Sequence, residues 1–272
     1  MKINTFVQLN FLNAFYFMDV KINPNDILFI AKKAGELIME VYNDPKYAGQ
    51  ADLKSDDSPL TVADKRSHDY IVGELNKRYP NIPVISEEGK EIPYETRKKW
   101  PLFWLVDPLD GTKEFIKRNG QFTVNIALVE GDAPVFGLVY PPELGVFYYT
   151  EDGKAYAMDR EGTKKELRVS HKKDNLAAVR SSSHAAPEEE ELFCKYNVTD
   201  YVSKGSALKF CMIAEGTADI YYRFKPTMEW DTAAGQAVVE AAGGKMYAGL
   251  SGKRFTYNKP SLVNGSFLCT GF

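Results

Sequence analysis

The chain has 272 residues, 44% of them apolar and 13% aromatic, enough to bury a large core as one domain or as two closely joined lobes. Its formal net charge is −3 and its 34 lysines and arginines are dispersed, so there is no basic field for a polynucleotide, and a nucleic-acid polymer is not an expected partner. Cys194, Cys211 and Cys269 are odd in number and far apart, which argues against a disulfide framework or a thiolate zinc site and fits a reducing cytoplasm.

Residues 1–20 are rich in Phe but broken by Gln8, Asn10, Asn13 and Asp19, too short and polar to span a bilayer and without a clear small-residue cleavage site. They read as an N-terminal extension of open role: a peripheral arm reaching the inner membrane, a packed extension, or a stretch upstream of a true start at Met18. Asn23 and Pro24 then cap a helix expected to run to about residue 42, because Ile27, Ile30, Ala31, Ala34, Ile38 and Val41 share one face. A polar loop, Lys54 to Thr61, leads to a second helix over about 61–79, with Thr61 and Asp64 at capping-box spacing. Taken alone, Asp56, Asp57 and Asp64 are cap and turn residues.

A short strand at 82–85 ends in Ser86-Glu87-Glu88-Gly89, and the apolar run at 102–106 ends in Asp107-Pro108-Leu109-Asp110-Gly111-Thr112. Both place acids where a buried strand is expected to run out into a loop. Strands over 122–129, 134–140, 145–150 and 154–158, punctuated by Gly131-Asp132, Pro141-Pro142 and Asp152-Gly153, read as an antiparallel meander. After about Ser170 strands alternate with helices. A strand at 176–179 ends at Ser181-Ser182-Ser183-His184, helices follow at 187–194 and 207–215, and a strand is expected at 218–224. A last helix opens at Glu229-Trp230-Asp231-Thr232, with Asp231 placed as its N-cap, and stops at Gly243-Gly244 before strands near 245–247 and 265–270. No partner protein is evident from any repeat, linker or low-complexity segment.

Glu87, Asp107, Asp110 and Asp231 thus stand at element ends. Asp107 and Asp110 are three residues apart, and crowded carboxylates repel. Protonating one, as in an acid/base dyad, relieves this, and so does a hard divalent cation. With only three histidines and no ligand spacing among them, Mg2+ is the better expectation than zinc. Ser206, behind Gly205 at a helix start, with Lys204, Lys209 and Arg223 near it in sequence, reads as a phosphate pocket.

Ser86-Glu87-Glu88, Asp107-Pro108-Leu109-Asp110-Gly111-Thr112 and Trp230-Asp231-Thr232-Ala233-Ala234-Gly235 resemble the three signatures of the inositol monophosphatase superfamily of Mg2+-dependent, lithium-sensitive phosphatases, from about residue 24 to the C-terminus. Residues 113–125 and 205–211 resemble its 3′(2′),5′-bisphosphate nucleotidase branch, which removes the 3′-phosphate of adenosine 3′,5′-bisphosphate (PAP) to give AMP. The resemblance implies a mixed α/β fold, a layered αβαβα sandwich. Its α+β lobe over 21–170 would carry most metal ligands, and its α/β lobe over 171–272 the substrate pocket and one ligand.

Carried over residue by residue, the resemblance implies one Mg2+ on Glu87, Asp107 and the Leu109 carbonyl, and a second on Asp107, Asp110 and Asp231. In such sites a third, weaker ion lies near Glu87 and the acid of the D-x-S-P loop, here Asp56. Asp56 or Glu87, with Thr112, would orient and deprotonate the attacking water. Gly111 and Thr112 would meet the scissile phosphate, and His184, Ser206, Lys209 and Arg223 the nucleotide and its second phosphate. The implied function is PAP hydrolysis, with PAPS as a further candidate substrate, clearing a by-product of sulfate assimilation. The alternatives are an inositol or sugar phosphate phosphatase with the same acids and, from another class, a non-catalytic Mg2+-dependent nucleotide sensor.

Overall fold

A computed structural model describes residues 22–47, 59–181 and 187–272; residues 1–20, Asp56 and His184 lie outside the described residues. Helix α1 (Pro24–Asn43) starts as its sequence requires, with Asn23 accepting the Asn25 N–H and proline in the first turn. Helix α2 (Pro59–Arg78) begins two residues before the expected start, with proline again in first place, so Thr61 and Asp64 are already helical. The chain continues through β1 (Val84–Ser86), α3 (Tyr94–Arg97), β2 (Leu102–Asp110), α4 (Thr112–Ile116), β3 (Thr123–Glu130), β4 (Ala133–Tyr140), β5 (Phe147–Glu151), β6 (Lys154–Met158) and β7 (Lys164–Glu166). These seven strands form one sheet in chain order, antiparallel throughout except for the parallel pair β1 and β2. The expected meander is present and gains β7.

The second half holds β8 (Leu176–Ser181), α5 (Pro187–Lys195), β9 (Val198–Lys204), α6 (Leu208–Ala214), β10 (Ile220–Arg223), β11 (Thr227–Met228), α7 (Glu229–Ala241), β12 (Lys245–Ala248), β13 (Val263–Asn264) and β14 (Phe267–Thr270). Five of its strands make a mixed sheet in the order β12, β14, β10, β8, β9, and β11 pairs with β13. Helix α7 also begins early, with Met228 at its N-cap. Asp231 is its third residue and not its N-cap, yet its Oδ2 accepts the Met228 N–H at 2.8 Å, so it caps the helix from inside the first turn.

Side-chain alternation explains the layers. On β2, Trp104 and Val106 pack with Ile30, Ile38, Ile71 and Leu75 of α1 and α2, whereas Phe103 and Leu105 face α7 and α6 with Val238, Ala234 and Phe210. On the second sheet Tyr221, Phe267 and Cys269 turn inward to that shared core, and Ile220, Tyr222 and Leu268 turn outward to Leu192 and Phe193 of α5. The order is therefore α1/α2, sheet, α6/α7, sheet, α5, a layered α/β sandwich. Helix α7, from the second half of the chain, lies against the first sheet, and Gly137 of β4 admits it: a Cβ there would sit 2.4 Å from the Ala234 carbonyl. The three cysteines are unpaired. Among the described residues no helix is long and apolar enough to cross a membrane.

Candidate active site

The strand β2 does not end before the acids. It stays paired with β3 through them, Asp107 opposite Asn125 and Asp110 opposite Thr123, so three steps on β2 match two on β3. The extra residue makes a bulge between Asp107 and Asp110, a stretch that includes Pro108, which has no N–H to give a ladder. The bulge decides which way the acids point. In a regular strand residues 107 and 110 would face opposite sides; here Leu109 joins Trp104 and Val106 in the α1/α2 core, and both carboxylates face the other side.

Gly111 follows at φ 97, a left-handed conformation suited to glycine, and a Cβ would come within 3.1 to 3.2 Å of the Gln121 carbonyl, the Phe122 Cα and the Ser206 Cβ. Helix α2 braces both acidic segments: Ser67 Oγ donates to the Pro108 carbonyl at 2.8 Å, and His68 Nδ1 bonds Ser86 Oγ at 2.8 Å.

One cavity of about 270 Å3 is lined by Glu87, Asp107, Leu109, Asp110, Gly111, Thr112, Ser206, Lys209, Arg223 and Asp231. It opens where β1, β2, β8, β9 and β10 reach their carboxyl ends, the usual place for a ligand in such sheets. Its charge is strongly divided. Burial, then Glu87, Asp110 and Asp231, raise Asp107 well above the usual carboxylate range. Burial and Asp110 bring Asp231 up to about 8. Glu87 is exposed as a residue, yet its carboxyl faces the other acids, and desolvation, Asp110 and Glu88 raise it to about 7. Asp64 of α2 belongs to the same group: burial, Glu88 and Glu87 raise it to about 9, and its Oδ1 is buried without a hydrogen-bond partner. Asp64 is a residue of α2, close enough to Glu88 and Glu87 to feel their charge.

Among the described residues no three acids converge closely enough to chelate one ion as they stand. Asp107 Oδ1 accepts the Leu109 N–H, Asp110 Oδ2 accepts from Ser206 and Asn125, and Asp231 Oδ2 accepts the Met228 N–H, so these bonds engage one oxygen of each carboxylate. The donor set suits Mg2+ in kind, being all oxygen, and the mutual repulsion is what a cation would relieve.

Two residues expected at the substrate are engaged elsewhere. Ser206, at φ 52, gives its hydroxyl to Asp110 at 2.6 Å. Lys209 is 5% exposed and donates to the Ser206 and Lys204 carbonyls at 2.6 and 3.4 Å, and burial lowers it to about 8. Its ammonium braces the turn that carries Ser206. Arg223 is half-buried at the cavity wall, its Nε donating to the Lys225 carbonyl at 3.2 Å.

A profile of the inositol monophosphatase family matches residues 27–269. The protein "3′(2′),5′-bisphosphate nucleotidase CysQ" of Salmonella typhimurium strain LT2 is 46% identical, over 89% of this chain and 96% of that one. Its namesake in Escherichia coli strain K12 is 44% identical, over 88% and 95%. The crystal structure of CysQ from Bacteroides thetaiotaomicron, a bacterial member of the inositol monophosphatase family, superposes with a TM-score of 0.82 at 41% identity, covering 93% of this chain and all of that one.

Proposed function

Because the chain belongs to the inositol monophosphatase family, we propose that it is a Mg2+-dependent phosphatase that hydrolyses the 3′-phosphate of PAP to give AMP and phosphate. The observation that carries this reading is the near-complete match to relatives named for that activity, together with one cavity lined by Glu87, Asp107, Asp110, Asp231 and Arg223. Glu87, Asp107 and the Leu109 carbonyl would hold one ion, and Asp107, Asp110 and Asp231 a second. Bound Mg2+ supplies positive charge opposite the phosphoryl oxygens and makes a water more acidic near neutral pH.

The chain's own residues do the rest. Thr112, in the first turn of α4, with Asp56 or Glu87, would orient the water and take up its proton. The left-handed Gly111 lets the Gly111–Thr112 backbone approach the scissile phosphate, since no side chain intervenes. Arg223 can grip the phosphate that is not cleaved with two N–H groups, and its charge holds the nucleotide so that the 3′-phosphate meets the acids. The balance is one water added across the P–O3′ bond, its hydroxyl to phosphorus and its proton to the 3′-oxygen.

Product analysis tests this. Incubation with PAP and Mg2+ should yield AMP and phosphate; adenosine 3′-monophosphate as product would place cleavage at the 5′ position and contradict the reading.

A further inference from the structure

The two residues paired with the acids across the sheet, Thr123 with Asp110 and Asn125 with Asp107, lie two apart on β3 and so face the same side as the carboxylates. Both are fully buried, and neither is apolar in a strand whose other residues up to Val129 are. Val124, between them, packs into the α1/α2 core. Polar groups in such a place cost stability unless they are bonded, and their bonds all lead to one atom. Thr123 Oγ1 contacts both Asn125 Oδ1, at 2.9 Å, and Ser206 Oγ. Ser206 Oγ donates to Asp110 Oδ2 at 2.6 Å, and Asn125 Nδ2 donates to the same oxygen at 3.3 Å.

We infer that Thr123 and Asn125 are positioning residues for the reaction, which hold the Asp110 carboxylate by its Oδ2, Asn125 directly and Thr123 through Ser206, so that its other oxygen is presented to the cation. Counting hydrogens gives the direction. Thr123 and Ser206 bring two hydroxyl hydrogens to three oxygen–oxygen links, so one link is always without a proton. A charged Asp110 claims the Ser206 hydrogen, because hydrogen bonds to an ionised acceptor are the strong ones. Thr123 then supports Ser206 by donating to it, or holds the Asn125 amide in the orientation that points its N–H2 at Asp110.

The consequence concerns Ser206. With its hydrogen committed to Asp110 it cannot also donate to a substrate phosphate, so its removal should act on the cation and on turnover more than on the grip of the substrate. The left-handed turn that places it is held by the Gly205 N–H bond to Gln121 Oε1 at 2.8 Å and by Lys209 on the Ser206 carbonyl.

The inference rests on Asp110 being a cation ligand, and its test separates the two. Mg2+ affinity is read by isothermal titration calorimetry without substrate. Thr123→Val keeps the shape and removes the hydroxyl, and should weaken Mg2+ binding about three- to tenfold, the worth of one hydrogen bond, with a fall in kcat and an unchanged KM. Thr123→Ser should restore both. Wild-type Mg2+ affinity in the folded Thr123→Val protein, a change confined to KM, or no recovery in Thr123→Ser would overturn the inference. Should Thr123→Val not fold, Ser206→Ala, on the cavity wall, must weaken Mg2+ binding in the same way, and unaltered affinity there would overturn it. A wild-type protein that binds no Mg2+ would instead overturn the reading of the acids.

Discussion

Asp107→Asn keeps the volume of the most crowded acid and removes its charge, and the site predicts two effects of opposite sign. Asp107 is 1% exposed and shares its surroundings with Glu87, Asp110, Asp231 and Asp64, each of which raises its proton affinity. Without a cation, above neutral pH, the carboxyl must either ionise against these neighbours or remain protonated while its unfolded counterpart ionises. Both cost stability. Each tenfold of proton affinity relieved is worth about 1.4 kcal/mol, so the variant should be more stable than wild type in EDTA at about pH 8. For a chain of this length each such step is a rise in Tm of about 2 to 5 °C. With Mg2+ the order should reverse. A ligand at 100 times its Kd stabilises the folded state by about 2.7 kcal/mol, a gain that wild type makes and the variant, without the bridging carboxylate, largely loses. Thermal unfolding of both proteins in EDTA and in saturating Mg2+ reads all four values. An Asp107→Asn protein less stable than wild type in EDTA, or one that keeps the full Mg2+ shift, would refute the reasoning.

Asp231 ionises at about 8 in the fold against 3.8 ordinarily, so between those values the unfolded chain binds fewer protons and the cation-free protein should lose stability as pH rises, while Mg2+ affinity rises because fewer protons must be displaced. Unfolding and calorimetric titrations at several pH values check both slopes; a Mg2+ affinity independent of pH would contradict the raised acids. Thr112→Ala should lower kcat and leave KM for PAP near its wild-type value, because the hydroxyl is assigned to the water; steady-state kinetics with a change in KM alone would remove that assignment. Arg223→Ala should cost about tenfold or somewhat more in kcat/KM on PAP, the worth of a charge-assisted contact, and little on 3′-AMP. Equal losses on the two substrates would make Arg223 a support of the fold.

Much of this arrangement is legible in the chain because it is local. The Asn23-Pro24 start, the periodicity of α1 and the meander from β3 to β6 depend on neighbours within a few residues, and they stand where the pattern puts them. Helices α2 and α7 each begin earlier than expected, since Pro59 and Glu229 are good first-turn residues, and Asp231 serves the cavity as well as the helix. The bulge between Asp107 and Asp110 has a local mark in the chain, since two acids three apart share the face of a strand only if an extra residue is inserted, and Pro108 lies between them. The link from Ser206 to Asp110 has no such mark, since it joins residues 96 apart and depends on how the two sheets face each other. For the same reason Lys209 read as a phosphate ligand, whereas its head is bonded to the backbone of its own turn.

The choice of substrate is read directly from phosphate release by the wild-type protein with Mg2+, from PAP and from inositol monophosphate, compared as kcat/KM. A clear preference for PAP, abolished by EDTA, is expected. Preference for inositol monophosphate, or turnover of PAP unaffected by chelation, would contradict the proposed function.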